Sequence, residues 1–446
     1  MNEVTEEHKS KIEVKSFGCS ANFGEGEVIK GVLRRDGFDL LQNTTPSNGN
    51  AELNIEEKED SLLLLNVCTV KGDSGALKEI KTALKEDPDR KIIIGGCVTK
   101  SLAEIAQKLD HRISVTTTHG VSQITQAVNS TLDNTPVFDL KKRDADRINL
   151  PRIRSNPAVG IVPVCSGCLD RCSFCSTVAI KGKLKSYSIE ALTLEVGELV
   201  ADGCKEIWLT GQDAACYGFE FETNLARLVK ELVQIEGDFM IRLGMGNPRH
   251  LLTYWEELVE ALQHPKVFKF IHLPVQSGSS SVLEGMKRKH SVEDYLFLVQ
   301  KMREAIPQLT ISTDIIVGFP GEEEYDFLKT MKLVEDTRPS VVNRTRFVPR
   351  EGTVAASMVD IPGKIKKDRS RRLTELFKTI VLENNQSWVG WEGKIIIDEF
   401  GKGENTMTGR NDFYKPVVIP GKYEFGTILH VKVHTADTFC LLADVI

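Results

Sequence analysis

The chain alternates short apolar runs with segments in which apolar and polar positions recur at helical spacing. From Lys11 to about Lys108 this unit occurs three times. "KIEVKSFGC" is an extended run ending at Cys19, followed by the helical "NFGEGEVIKGVLRRDGF"; "SLLLLNVC" ends at Cys68 and leads to "GALKEIKTALKE"; "KIIIGGC" ends at Cys97 and leads to "SLAEIAQKL". Strands alternating with helices predict a parallel sheet, and in such sheets ligands gather outside the carboxyl ends of the strands. Cys19, Cys68 and Cys97 occupy the same topological place and are predicted to converge there. Each also lies close to a helix start, where the dipole favours a thiolate. Taken singly, each cysteine could equally be a small buried hydrophobe. Between the first two units, "NTTPSNGNAELNIEEKED" is polar and acidic and reads as a surface insertion.

The stretch 139–157, "DLKKRDADRINLPRIRSNP", has mixed charge, no apolar period and two prolines, and reads as a linker. Lys141, Lys142, Arg143, Arg152 and Arg154 make it a candidate phosphate contact, with a plainly solvated linker as the alternative. After it the alternation resumes. Candidate strands are "AVGIVPV", "EIWLTG", "MIRLGM", "FKFIHLPV", "TISTDIIVGF" and "VVNRTRFV", separated by helical segments from "SIEALTLEVGELVADG" to "EEEYDFLKTMKLVED". Six strands with right-handed helical crossovers make an incomplete form of the eight-stranded α/β barrel. Polar or glycine-bearing segments follow the strands: "TGQD", "LPVQSGS", "IVGFPGE" and "RFVPREGT". There Gln212, Asp213, Gln276 and Ser277 offer groups for an amino acid and a ribose, with turn chemistry as the competing explanation.

Beyond Ile361 the pattern changes. Six of the nine residues from 364 to 372 are basic (Lys364, Lys366, Lys367, Arg369, Arg371 and Arg372), and a helical period follows. Such a run is either a solvated helix face or a phosphate-contacting one. From about Glu392, "KIIIDE", "YKPVVI", "TILHVKVHT" and "TFCLLADVI" alternate with glycine turns and predict a small antiparallel barrel, an architecture that often binds looped or single-stranded RNA. The expected fold class is therefore α/β throughout, with an all-β end. A parallel α/β domain spans 10–138, a linker 139–157, an incomplete (β/α)6 barrel 158–386 and a small antiparallel β-barrel 387–446.

At 446 residues the chain is long enough for two to four domains, and 41% hydrophobic with 27% charged residues is ordinary globular composition. No apolar run approaches the ~20 residues needed to span a bilayer, and the N-terminus "MNEVTEEHKSK" lacks the apolar core of a secretion signal. No membrane partner and a cytoplasmic location are expected. Ten cysteines are too sparse for a disulfide scaffold and cluster beside glycines, which fits metal or redox chemistry in a reducing compartment. A net charge of −6 gives no global attraction to nucleic acid, so any RNA binding must rest on local patches.

The densest chemistry is "VPVCSGCLDRCSFCST", with Cys165, Cys168, Cys172 and Cys175. Paired-cysteine zinc modules usually separate their pairs by a dozen or more residues. The ferredoxin run is ordered CxxCxxCxxxC and followed by proline, which this is not. A third reading sets Cys165 aside and keeps Cys168, Cys172 and Cys175 as CxxxCxxC, with Phe174 before the last thiol, and buried or zinc-binding cysteines as the alternative. Three thiolates on a four-iron cluster leave one iron open to a small molecule. This motif resembles that of the radical S-adenosylmethionine (SAM) superfamily.

With three N-terminal cysteines in "FGC", "NVC" and "GGC", then CxxxCxxC, "TGQD", "LPVQSGS", "DIIVGFPGE" and "PREGT", and a terminal barrel containing "GRNDFYKPVVI", nearly the whole chain resembles the methylthiotransferases. It is most similar to the archaeal and eukaryotic branch, which modifies N6-threonylcarbamoyladenosine beside the tRNA anticodon. The resemblance implies two four-iron clusters and SAM as cofactors. Cys168, Cys172 and Cys175 would hold the cluster that cleaves SAM to a radical, and Cys19, Cys68 and Cys97 an auxiliary cluster carrying the sulfur to be methylated and inserted at C2 of the adenine. The implied partners are tRNA, an electron donor and a sulfur donor; the closing barrel would be an RNA-binding TRAM domain. The chain departs from the family pattern at Lys181, where arginine often stands, and at Glu351, where proline does. Cys165 falls outside the motif. Methylthiolation of an isopentenyladenosine-type base or of a ribosomal protein aspartate remains as an alternative within the class, and an iron–sulfur electron carrier or RNA-binding protein as a non-enzymatic one.

Overall fold

The apolar runs of the first third become strands because both faces of each are covered. In the computed structural model, which describes residues 11–41, 61–68, 73–143 and 147–446, every residue of Leu62–Val67 and Ile92–Gly96 is buried. The strands are β1 (Lys11–Ser16), β2 (Asp39–Leu40), β3 (Leu62–Val67), β4 (Ile92–Gly96) and β5 (Ser114–Val115). They pair in the order β2-β1-β3-β4-β5, every ladder parallel. One apolar layer (Leu63, Leu65, Ile92, Ile94) packs on Ile80, Leu102 and Ala106. The other (Ile12, Val14, Leu62, Leu64) packs on Val28, Val32 and Val128. Inside this unit Arg90 and Glu13 form a buried ion pair at 2.6 Å. The insertion expected at 43–60 lies outside the described residues.

The chain divides into two units, Met1–Ser155 and Asn156–Ile446. The stretch expected to be a linker is not free, since up to Ser155 it packs on the helix Ser20–Arg35. The Ile153 amide donates to the Glu27 carbonyl and the Ser155 amide to Glu27 Oε1 at 2.9 Å, while the Pro151 carbonyl crosses directly over Gly31. Arg152 and Arg154 sit in the field of the Glu27 carboxylate. Local period could not reveal this, because the docking uses backbone groups and a glycine gap.

The second unit holds the six expected barrel strands in two parallel triplets. β6 (Val159–Pro163), β9 (Glu206–Thr210) and β10 (Met240–Arg242) form one, in the order β10-β9-β6; between the first two in sequence, β7 (Cys165–Ser166) and β8 (Lys185–Ser186) make a small antiparallel pair. β11 (Phe270–His272), β12 (Thr310–Val317) and β13 (Val341–Arg346) form the other. A parallel bridge between Met245 and His272 joins the triplets.

The C-terminal strands β14 (Glu392–Phe400), β15 (Thr406–Asn411), β16 (Pro416–Pro420), β17 (Ile428–Ala436) and β18 (Leu441–Val445) close into a barrel of order β14-β15-β16-β18-β17. Its core includes Trp388, Ile395, Ile397, Val417, Val431 and Leu441. The barrel is not wholly antiparallel as expected: β16 and β18 pair in parallel, Val417 opposite Leu441. Closing five strands leaves two strands of like direction side by side. The small barrel is anchored beneath the larger one. Phe268, Phe270 and Ile396 form a shared apolar cluster with Tyr414, and the Arg242 guanidinium lies 5.0–5.1 Å from the rings of Trp208, Phe270 and Tyr414.

Candidate functional site

The CxxxCxxC loop follows β7 and is held by backbone contacts on three sides. Ser173 donates through its amide to the Met286 carbonyl (3.0 Å) and through its hydroxyl to the Gly285 carbonyl (2.8 Å), and its own carbonyl accepts from the Ala355 amide (2.8 Å). Gly167, at φ +74°, lies so close to the Lys183 carbonyl that a Cβ would not fit. Its amide donates to Gln212 Oε1 at 2.9 Å. Cys168, Cys172 and Cys175 are partly exposed, whereas Cys165 is buried with its Sγ 3.7 Å from the Asp213 carbonyl. Cys165 is therefore a core cysteine of the β7–β8 pair. Burial, reinforced by Asp213, pushes the Cys168 thiol up to about 12, and burial raises Cys172 against the opposing pull of Arg288. A bound cation would offset the cost of ionising Cys168 and Cys172 there, which suits iron ligation. Arg288 Nη1 donates to Cys172 Sγ at 3.5 Å, and the Thr177 amide donates to Cys175 Sγ at 3.4 Å.

Three loops at the carboxyl edge of the first sheet bring Cys19, Cys68 and Cys97 together, and two asparagines stitch them. Asn22 Nδ2 donates to the Phe17 carbonyl (2.8 Å) and the Asn66 carbonyl (3.0 Å), while Asn66 Nδ2 donates to the Asn22 carbonyl (2.7 Å). Cys97 Sγ lies 3.9 Å from Asn22 Oδ1. Gly18, at φ +115°, abuts Cys68 so closely that its Cβ would fall 2.5 Å from the Cys68 Sγ. Cys19 caps the helix Ser20–Arg35. Among the described residues, the group gathered tightly enough for a single ion is Asp213, Cys216 and His250, with ligand atoms within 4.8 Å of one another; neither cysteine triad is drawn that close. The Asp213 group is a knot of internal bonds, since Asp213 Oδ1 accepts from the Ala215 and Asn247 amides and Cys216 Sγ donates to the Asp213 carbonyl.

Of the four residues expected to meet SAM, two have other work. Asp213 is buried in that knot, where burial raises its carboxyl against His250 and the Asn247 amide. Ser277 is fully buried, its Oγ 3.3 Å from Thr330 Oγ1 and accepting from the Ser279 amide. Both shape turns, as the competing explanation had it. Gln212 supports the cysteine loop. Gln276 stands at φ +76° beside β12, its amide bonded to the Asp314 carbonyl. A polar trio absent from the sequence-based expectations lies across β11, β12 and β13. Asp314 Oδ1 accepts from His272 Nε2 (2.8 Å) and Asn343 Nδ2 (2.9 Å); burial would raise this carboxyl, but His272 and Asn343 hold it below its usual value.

The radical SAM superfamily model matches residues 162–334, and that of the uncharacterized protein family UPF0004 matches residues 11–117. A Pyrococcus abyssi protein named "Probable threonylcarbamoyladenosine tRNA methylthiotransferase" is 36% identical over 92% of this chain and 93% of its own length. The Homo sapiens threonylcarbamoyladenosine tRNA methylthiotransferase is 34% identical over 95% of this chain and 72% of its own. The chain belongs to the threonylcarbamoyladenosine tRNA methylthiotransferase family. It is thus a radical SAM transferase. Among solved structures, the radical SAM methyltransferase TsrM from Kitasatospora setae is similar with TM-score 0.54 at 14% identity, covering 78% of this chain and 77% of that one, a likeness of fold alone.

As a methylthiotransferase the chain has fewer free cations on its long helix Gly363–Gln386 than the basic run implied. Lys366 is buried, with Nζ 2.8 Å from Asp360 Oδ2 and 3.1 Å from the Phe347 carbonyl. Arg369 is buried against Glu322 at 2.7 Å. Arg371 pairs with Asp368 and Glu375, and Arg372 with Glu324. Lys366 and Arg369 are thus held inside the fold by carboxylates, Arg372 is half-buried, and Arg371 remains exposed with partners on its own helix. Lys364 and Lys367 stay exposed. Of the two departures from the family pattern, Lys181 ends the short helix Thr177–Lys181 and is buried, and Glu351 is exposed in the turn before Gly352. Asp170, Asn247, Arg249 and Arg288, which grip the cysteine loop, were not singled out in sequence; only Asp170, inside "CLDRC", carried a positional signal.

Proposed function

We propose that this enzyme installs a methylthio group at C2 of N6-threonylcarbamoyladenosine at position 37 of tRNA, in the cytoplasm, drawing on an electron donor and a sulfur donor. The observation that supports the reading most is the presence of two separately stitched cysteine triads, each at the carboxyl edge of its own parallel sheet. One triad alone would serve radical chemistry without a second sulfur centre. The relatives named for threonylcarbamoyladenosine favour that base over an isopentenyl-type base or a protein aspartate.

Cys168, Cys172 and Cys175 would hold one four-iron cluster and Cys19, Cys68 and Cys97 the other; when bound, with SAM, they supply the radical that attacks an unactivated C–H bond and the sulfur that replaces it. The chain's own contribution is placement. Gln212 and Ser173 fix the first loop before metal arrives, and Asn22 and Asn66 fix the second. Gln276 and the His272–Asp314–Asn343 trio across β11, β12 and β13 would offer polar groups to bound SAM or base. Lys364 and Lys367, with the small barrel, offer the contacts for tRNA phosphate. Mass spectrometry of tRNA nucleosides tests the assignment. A strain lacking the gene should lose the methylthio form of threonylcarbamoyladenosine and regain it with the wild-type chain but not with Cys172→Ala. Loss of a methylthiolated isopentenyl base instead would overturn it.

A further inference from the structure

Arg288 is tied to the cysteine loop more directly than any iron-ligand role requires. Its backbone is set by the end of the helix Ser280–Gly285, where Lys287 turns through φ +56° and the Arg288 amide donates to the Leu283 carbonyl at 2.9 Å. The guanidinium then forks. Nη1 donates to Cys172 Sγ at 3.5 Å, and Nη2 donates to Asn247 Oδ1 (2.9 Å) and the Pro274 carbonyl (3.0 Å). Asn247 passes the grip on, since its Nδ2 donates to Asp170 Oδ2 at 2.8 Å, and Asp170 lies between the first two cysteines of the motif and also pairs with Arg249. A permanently charged, planar donor is thus clamped in place with one arm on a ligand sulfur.

We propose that Arg288 tunes the SAM-binding cluster, its N–H···S contact to Cys172 raising the cluster's reduction potential and its Nη2 arm keeping that contact in register. The inference rests on the Proposed function. The physical reason is electrostatic. Reduction adds an electron to a cluster ligated by three thiolates, and a nearby cation with a hydrogen bond to sulfur stabilises the more negative form. Without Arg288 the same thiolates would ligate iron, but the reduced cluster would be harder to reach for whichever donor serves it.

The test is an EPR-monitored redox titration of the anaerobically reconstituted full-length protein, following the reduced-cluster signal that changes when SAM is added. This signal counts only loaded cluster, so partial iron loss does not obscure the midpoint. In Arg288→Gln the ratio of reduced to oxidised cluster at a fixed potential should fall about tenfold, a negative shift of about 59 mV for a one-electron couple. Arg288→Lys, which keeps the charge, should recover part of it. Asn247 Oδ1 retains the Arg249 amide as donor in both variants. A wild-type midpoint in Arg288→Gln, whatever its iron content, overturns the proposal. Should neither Arg288 variant load iron, Asn247→Ala, which leaves Nη2 only the Pro274 carbonyl, should show a smaller shift in the same direction, and an unchanged midpoint there overturns it too. A wild-type protein with no SAM-responsive signal would instead refute the Proposed function on which the inference stands.

Discussion

At the scale of single residues, burial decides what a charge or a thiol is for. Arg369 and Lys367 are two positions apart on one helix, yet Arg369 faces the buried Glu322 and Lys367 faces water. Removing Arg369 would leave Glu322 buried without its cation, a loss of about 3–5 kcal/mol. Thermal unfolding of Arg369→Ala should show that loss. Lys364→Ala with Lys367→Ala should leave unfolding unchanged and instead flatten the salt dependence of tRNA affinity, by roughly 0.7 log units per phosphate contact removed. Equal salt slopes in that variant and the wild type would leave both lysines as solvated surface. The run of six cations was legible in sequence, but its partners were not: Glu322 lies 47 positions from Arg369, and no local period records such a pairing. The same distance problem hid Arg288, which reaches Cys172 across 116 positions. By contrast, the six cysteines proposed as cluster ligands stand out by spacing and by their place after apolar runs, because strand ends impose that place.

At the scale of elements, the three-fold repeat of strand, cysteine and helix was legible because "LLLLNV" and "IIIGG" are apolar on both faces. What sequence did not disclose is how the loops are joined. Gly18 lets the first cysteine loop lie on Cys68, in a backbone conformation at φ +115° that L side chains rarely adopt. Gly18→Ala is both strained and in collision with Cys68, so it should displace Cys19 from the triad. Reconstituted Gly18→Ala is expected to carry about four irons where the wild type carries about eight, counting two four-iron clusters. Its SAM-responsive EPR signal should persist. Full iron loading in this variant would show that the Cys19 and Cys68 loops do not need their close approach. Short strands such as Asp39–Leu40 and Ser114–Val115 were missed for a simpler reason, since two residues carry no period.

At the scale of the whole molecule, the second unit is one body because the small barrel plugs the floor of the larger one. Beside a bulge in β14, Asp398 is buried and meets Arg410 at 2.9 Å in the field of Glu206. Removal of the small barrel would strip the cover from Phe268, Phe270 and Arg242, so truncation cannot isolate RNA binding from stability. Burial, with Asp398 adding to it, pushes Glu206 from its ordinary 4.5 up to about 8. A carboxyl raised in the folded state holds its proton there and releases it on unfolding. Its contribution is complete below pH 4.5 and is lost as pH climbs towards 8. Glu206→Gln stays neutral and can still accept from Trp208 Nε1. Its melting temperature should match the wild type below pH 4.5 and exceed it increasingly through pH 8. A difference that does not vary with pH would mean that Glu206 is ionised in the fold.

The central claim is that two cysteine centres on two sheets divide the work of one methylthiotransferase. The most direct measurement is product analysis of the Cys19→Ala, Cys68→Ala, Cys97→Ala protein, reconstituted anaerobically and given SAM, strong reductant and tRNA carrying threonylcarbamoyladenosine. The account predicts continued release of 5′-deoxyadenosine with no methylthiolated nucleoside in the digested tRNA. Methylthiolated product from this variant, or loss of SAM cleavage along with it while Cys168, Cys172 and Cys175 still hold iron, would contradict it.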